Sequence, residues 1–104
     1  MLFIDSSHIV KIDGEVPYLY LEVIPRLKKG VITHIHDTPF PYNVPYPPQL
    51  WIFDREWPVF WNEAMLLQAF LCYNDAFKIL VSMPLLRYFD EDFLRTSHTW
   101  LQVN

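Results

Sequence analysis

The sequence predicts an α/β fold. A short apolar run opens the chain, a segment with apolar residues four apart follows it, and a β-branched run comes next. The first 37 residues therefore read strand, helix, strand, and a second helix–strand pair comes later. A closing segment alternates polar and apolar residues, as a half-buried strand does.

Leu2–Ile4 ("LFI") is apolar on both faces and ends at Asp5, which suits a parallel strand covered on both sides. Asp13 suits a helix N-cap, and Pro17 falls where an early helical turn tolerates it. Leu19, Val23 and Leu27 repeat every four residues beside Tyr20 and Ile24, which marks one helical face. Pro25 should bend the last turn, Lys28 and Lys29 suit its negative end, and Gly30 can terminate it. Val31–Asp37 ("VITHIHD") is the second strand. The connection is long enough for a right-handed crossover, so the two strands should be parallel neighbours about 4.8 Å apart.

Residues 38–57 are rich in proline and aromatics and should form a loop over one end of the sheet. A helix is expected over Pro58–Tyr73, with Trp61, Met65 and Ala69 as one row and Phe60, Leu67, Phe70 and Leu71 widening the apolar face. Asn74 and Asp75 end it. Phe77–Met83 reads as a strand, residues 84–95 as a connection with a helical turn, and residues 97–104 as a last, antiparallel strand.

The 104 residues make one domain. With 52% hydrophobic and 17% aromatic residues, the chain carries more apolar surface than one core of this size readily hides, so an oligomer or a covering partner segment is expected. The net charge is −4, and Lys28–Lys29 is the one adjacent basic pair, so no basic stripe exists to bind nucleic acid. A single cysteine, Cys72, excludes an internal disulfide and fits a reducing, cytoplasmic setting; its place on an apolar helix face should leave it inert. The longest apolar stretch, "AMLLQAFLCY", is too short to span a bilayer, and no secretory signal pattern opens the chain.

Asp5 should end the first strand and His36–Asp37 the second. Both lie at the carboxyl edge, where α/β sheets place ligands. Two carboxylates and an imidazole there could act as acid and base, or hold a divalent cation through Asp5, His36 and Asp37. The plainer reading is that the aspartates cap loops. His34 and His36 share a strand face. H-x-H followed by Asp also occurs in metal-dependent hydrolases, but those need further ligands, and only His8 and His98 remain. His34 reads better as a core histidine. Ser6 and Ser7 lack a G-x-S-x-G setting and should cap the following turn. Trp51, Trp57, Trp61, Tyr42 and Tyr46 could line an acceptor pocket or simply pack on the sheet edge. Asn62 and Glu63 open a helix, where Glu63 suits the positive end of the dipole.

The motifs "IDSSH", "D…VIPRLKKG", "HIHD", the "YP" loop, "FWNEAMLLQAFLCYN" and "SHTWLQV", in that order, resemble the second half of a class I S-adenosylmethionine-dependent methyltransferase domain. The resemblance covers essentially the whole chain. It implies a partial Rossmann-like fold with the family's strands four to seven in a mostly parallel sheet, the last strand antiparallel. It implies that Asp5 and Asp37 occupy positions where some relatives bind magnesium, with His36 in place of an acid, and that His8 is the histidine over the catalytic cleft. The family's glycine-rich cofactor half has no counterpart here: the chain has two glycines, Gly14 and Gly30, neither in a G-x-G-x-x-G-like run. This chain alone is thus expected to bind S-adenosylmethionine weakly or not at all, and not to catalyse. The rival reading is a non-enzymatic homo-oligomeric module derived from the fold. In either case the first strand becomes a sheet edge that a second copy, or an N-terminal half, could cover.

Overall fold

The computed structural model describes residues 1–89 and 99–103. Strand β1 is Leu2–Ile4, helix α1 is Glu15–Tyr18, β2 is Ile32–Ile35, α2 is Glu63–Leu71, β3 is Phe77–Ser82, α3 is Met83–Phe89 and β4 is Thr99–Val103. The four strands form one mixed sheet in the order β1-β2-β4-β3. The class is α/β.

β1 and β2 pair in parallel, with Leu2 opposite Thr33, Phe3 opposite His34 and Ile4 opposite Ile35. The His36 amide extends this ladder by donating to the Ile4 carbonyl at 2.8 Å. β4 enters between β2 and β3 and is antiparallel to both. Three strands thus share one direction, as "mostly parallel" anticipates, but only the β1–β2 ladder is parallel. The closing strand separates the other two parallel-running neighbours. β1 and β3 are the two edges.

The β1–β2 crossover is helical but not one regular helix. Gly14, not Asp13, stands at the N-cap, and Asp13 takes a left-handed φ of 58° just before it. α1 widens into a π-type turn at Leu19–Val23 and tightens into a 3₁₀ turn at Ile24–Arg26. Pro25 accounts for the tight end, because it has no amide to continue the helical bonding. The buried stripe is Val16, Tyr20 and Ile24, all fully enclosed, rather than the Leu19–Val23–Leu27 row. These three pack with Ile4, Ile35, Phe40 and Leu67 to form the core.

Two further expectations shift. The proline-rich loop contains one wide helical turn, Gln49–Phe53, directly after Pro48. The second helix starts at Glu63 rather than Pro58. Its buried residues are Glu63, Ala64 and Leu67, while Met65 and Ala69 face outward. The expected Trp61–Met65–Ala69 row is therefore not the core row. The loop is tied to the sheet by Ser82, whose hydroxyl donates to the Phe40 carbonyl at 2.6 Å. The second half of the connection expected over residues 84–95 lies outside the described residues, as does His98. No helix among the described residues is long and apolar enough to cross a membrane.

Candidate functional site

The carboxyl ends of β1 and β2 meet the start of α2, and their side chains build one polar centre. After β1 the chain turns sharply. The Ser6 hydroxyl accepts from the His8 amide at 3.2 Å, and His8 adopts a left-handed φ of 60°. A histidine there is uncommon and is sustained only by surrounding structure. That structure is α2: the amides of Asn62 and Glu63 donate to the His8 carbonyl at 3.1 and 3.2 Å. The Asn62 Oδ1 also accepts from the Val10 amide at 2.6 Å. The helix start is thus capped by the β1 loop, and that docking fixes Glu63 beside His8.

Glu63 is 1% exposed. Its carboxylate is the acceptor for three side chains: the Tyr20 hydroxyl at 3.0 Å on Oε1, and the Ser6 hydroxyl at 3.2 Å and His8 Nδ1 at 2.6 Å on Oε2. A buried carboxylate is costly unless so satisfied. The Nδ1 contact defines His8: with Nδ1–H donated to Glu63, the second nitrogen, Nε2, is left to face outward. Trp61 covers the imidazole, ring centroids 4.3 Å apart.

Nε2 points toward Asp5, whose Oδ1 lies 3.9 Å away, beyond hydrogen-bond reach. One ligand atom each from Asp5, His8 and Asp37 lies within 4.8 Å of the others. Asp37 reaches this cluster because it leaves the strand with a φ of 55°. Burial pulls the His8 pKa down. The Glu63 hydrogen bond and charge, then the charges of Asp37 and Asp5, outweigh it, so the imidazole titrates above its ordinary value. Burial raises the Tyr20 phenol far above its usual range, with the Glu63 charge adding to it, so Tyr20 stays a donor.

Asp5, His8 and Asp37 therefore converge as the sequence suggests, but His36 does not join them. The three donors that lie mutually close are Asp5, His8 and Asp37, and of these three His36 is placed beside Asp37. The reason is strand alternation: His36 still pairs with Ile4, so its ring stays on the His34 face, above Phe3. Its Nδ1 lies 3.3 Å from His34 Nε2, and its Nε2 lies 3.5 Å from Asp37 Oδ1. His34 is buried and stacks on Phe3 at 4.6 Å, as a core histidine should. The H-x-H pair gains no third ligand among the described residues.

Ser6 belongs to the site. Ser7 instead donates its amide to the Glu15 carboxylate at 2.9 Å. Cys72 is exposed at the end of α2, not enclosed by an apolar face. The loop aromatics divide. Trp51 packs near Trp61, and Trp57 faces solvent. Tyr42 and Tyr46 line a cavity of about 720 Å³ with Pro39, Pro41, Pro48 and Arg87. Sequence reasoning missed Glu63 and Tyr20 as site residues. A signal existed: Glu63 stands four residues before Leu67 and eight before Leu71, a charge in an apolar row.

No protein-family model, no curated protein and no solved structure matches this chain.

Proposed function

We propose that this chain carries the acceptor-side wall of a methyl-transfer cleft, with Asp5, His8 and Asp37 as the polar centre against which the acceptor's nucleophilic atom sits. One observation carries the reading: a buried histidine, oriented by a buried carboxylate, stands with Asp5 and Asp37 at the carboxyl edge of a parallel strand pair, with one polar atom of each within 4.8 Å of the others. A carboxylate-backed imidazole is the group in such a centre that takes up a proton as the nucleophile reacts. The antiparallel last strand, inserted beside a parallel pair, supports the methyltransferase-like reading of the sheet.

This chain has no glycine-rich run of the kind that holds S-adenosylmethionine. Gly30 is in the turn before β2, at the opposite edge of the sheet from Asp37. At Gly14 a Cβ would fall 2.8 Å from Lys11 Cγ, so the space beside that glycine is taken up by its own loop. Neither glycine belongs to a G-x-G-x-x-G-like run, and no step is assigned to the donor here. The expected result of calorimetric titration with S-adenosylmethionine is silence for the 104-residue chain. A chimera with the glycine-rich half of a class I methyltransferase joined ahead of Met1 should bind it. Micromolar binding by the chain alone would overturn the one-wall reading. A folded chimera that ignores the cofactor would overturn the methyl-transfer reading itself.

A further inference from the structure

We propose that the cavity between the proline-rich loop and α3 binds a planar aromatic carboxylate, with its rings against the tyrosines and prolines and its carboxylate on Arg87. The proposal stands on this cavity alone and not on the methyl-transfer reading. None of the residues lining the cavity belongs to the Asp5–His8–Asp37 centre, and none is a tryptophan.

Ser82 fixes both walls. Its hydroxyl donates to the Phe40 carbonyl at 2.6 Å and accepts from the Leu85 amide at 3.3 Å. The first bond holds the loop, and the second holds the opening turn of α3. Phe40 and Pro84 are buried on the two sides of this tie. Pro39, Pro41 and Pro48 stand in the loop wall and Pro84 in the helix wall. Proline has a fixed φ, so such walls keep their shape before a ligand arrives, and less ordering has to accompany binding. The volume of about 720 Å³ lies within the roughly 300–1,000 Å³ of small-molecule sites and accommodates a fused two-ring compound.

Shape and charge together choose the ligand. Tyr42, Tyr46 and Tyr88 line the cavity beside the prolines, which favours a flat apolar body. Three tyrosines could equally cage a cation. Arg87 decides against that: its guanidinium lies 4.9 Å from the Tyr46 ring centroid, so a positive charge already occupies that face. A second cation would meet a like charge, whereas an anion would be attracted. No aspartate or glutamate stands among the lining residues to oppose the anion. A guanidinium is a planar fork of donors that matches a carboxylate through two parallel hydrogen bonds, and stacking on a ring orients it. An aromatic ring that carries a carboxylate therefore answers both the apolar walls and the charge.

The test titrates the 104-residue chain with naphthoate, with its uncharged counterpart naphthamide and with a naphthyl trimethylammonium cation, followed by amide NMR spectra. Naphthoate should saturate one site and shift the amides of Tyr42, Val44, Tyr46, Arg87 and Tyr88. Naphthamide should bind about tenfold more weakly, and the cation more weakly still. Arg87→Gln should weaken naphthoate binding by about tenfold and leave naphthamide binding unchanged. Should that variant fail to fold, the charge series on the parent chain decides the matter. Naphthamide or the cation binding as tightly as naphthoate, shifts gathered at Asp5, His8 and Asp37 instead, a folded Arg87→Gln chain that binds naphthoate as the parent does, or no saturable binding would each overturn the proposal. None of these outcomes bears on the S-adenosylmethionine titrations.

Discussion

Replacing Glu63 by Gln keeps the shape of the side chain and removes its charge. Three donors converge on that carboxylate: the Tyr20 hydroxyl, the Ser6 hydroxyl and His8 Nδ1–H. An amide accepts through one oxygen only, and its NH₂ must face a former donor. At least one hydrogen bond becomes a donor–donor clash inside a site where Glu63 is 1% exposed. A buried polar group left unsatisfied costs about 1–3 kcal/mol, and we expect that loss near pH 6. The sign of the pH dependence follows from His8. Its folded pKa is raised, so its contribution to stability is fully present below the unfolded value of about 6.5 and fades as pH rises through the folded value. The destabilisation should therefore be larger at pH 6 than at pH 9. In the variant, burial is opposed only by Asp5 and Asp37, so the His8 pKa should fall. Urea denaturation at the two pH values, with EDTA present, gives the first quantity. An NMR titration of the His8 ring protons gives the second. A variant as stable as the parent at both pH values, with His8 titrating unchanged, would refute the proposed coupling.

Tyr20→Phe removes one donor to Glu63 and should cost roughly 1 kcal/mol in urea denaturation, while the near-ultraviolet dichroism stays native-like. Leu67→Ala opens a hole where α2 meets the crossover, and a loss of about 2–5 kcal/mol is expected; a loss below that range would mean that the site collapses on the gap. β1 has one edge without a strand neighbour among the described residues, with Phe3 exposed on it. Sedimentation should show a dimer that Phe3→Lys dissociates, and a monomeric parent at the highest soluble concentration would count against pairing along that edge.

Strand existence was legible because it rests on local composition. "LFI" and "VITHI" are apolar or β-branched runs bounded by polar residues, and they pair as parallel neighbours. The regularity of the first helix was not legible. Four-residue spacing fits both the Leu19–Val23–Leu27 and the Val16–Tyr20–Ile24 rows, and the sheet selects the second by contact with Ile4 and Ile35. The sequence pattern places the start of helix α2 too early, at Pro58 rather than Glu63. Trp61 and Phe60 look like helical face residues, but Asn62 and Glu63 bind the His8 carbonyl and make the N-terminus there. The site divides along the same line. Asp5 and Asp37 follow from strand ends. Glu63 does not, because its partner Ser6 is 57 residues away and pairing over that distance is tertiary information.

The inner half of the site and the hydrophobic core share atoms. Tyr20 belongs to the buried stripe that packs on the sheet, and its hydroxyl is also the donor that helps hold Glu63 against His8. A core substitution that shifts Tyr20 therefore moves the acceptor of Nδ1 and, through it, the direction of Nε2. The converse also holds: any loss of charge at Glu63 reaches the packing between α2 and the crossover. Asp5 and Asp37 differ because they are exposed and make no core contact. Their removal changes what Nε2 faces without changing what holds it. Function and stability can thus be separated at the outer pair and cannot be separated at the inner one. A library selected only for folding should accordingly retain Glu63 and Tyr20, vary freely at position 5 and vary at position 37 among residues that accept its left-handed φ, whereas selection for ligand binding should fix all four together with His8.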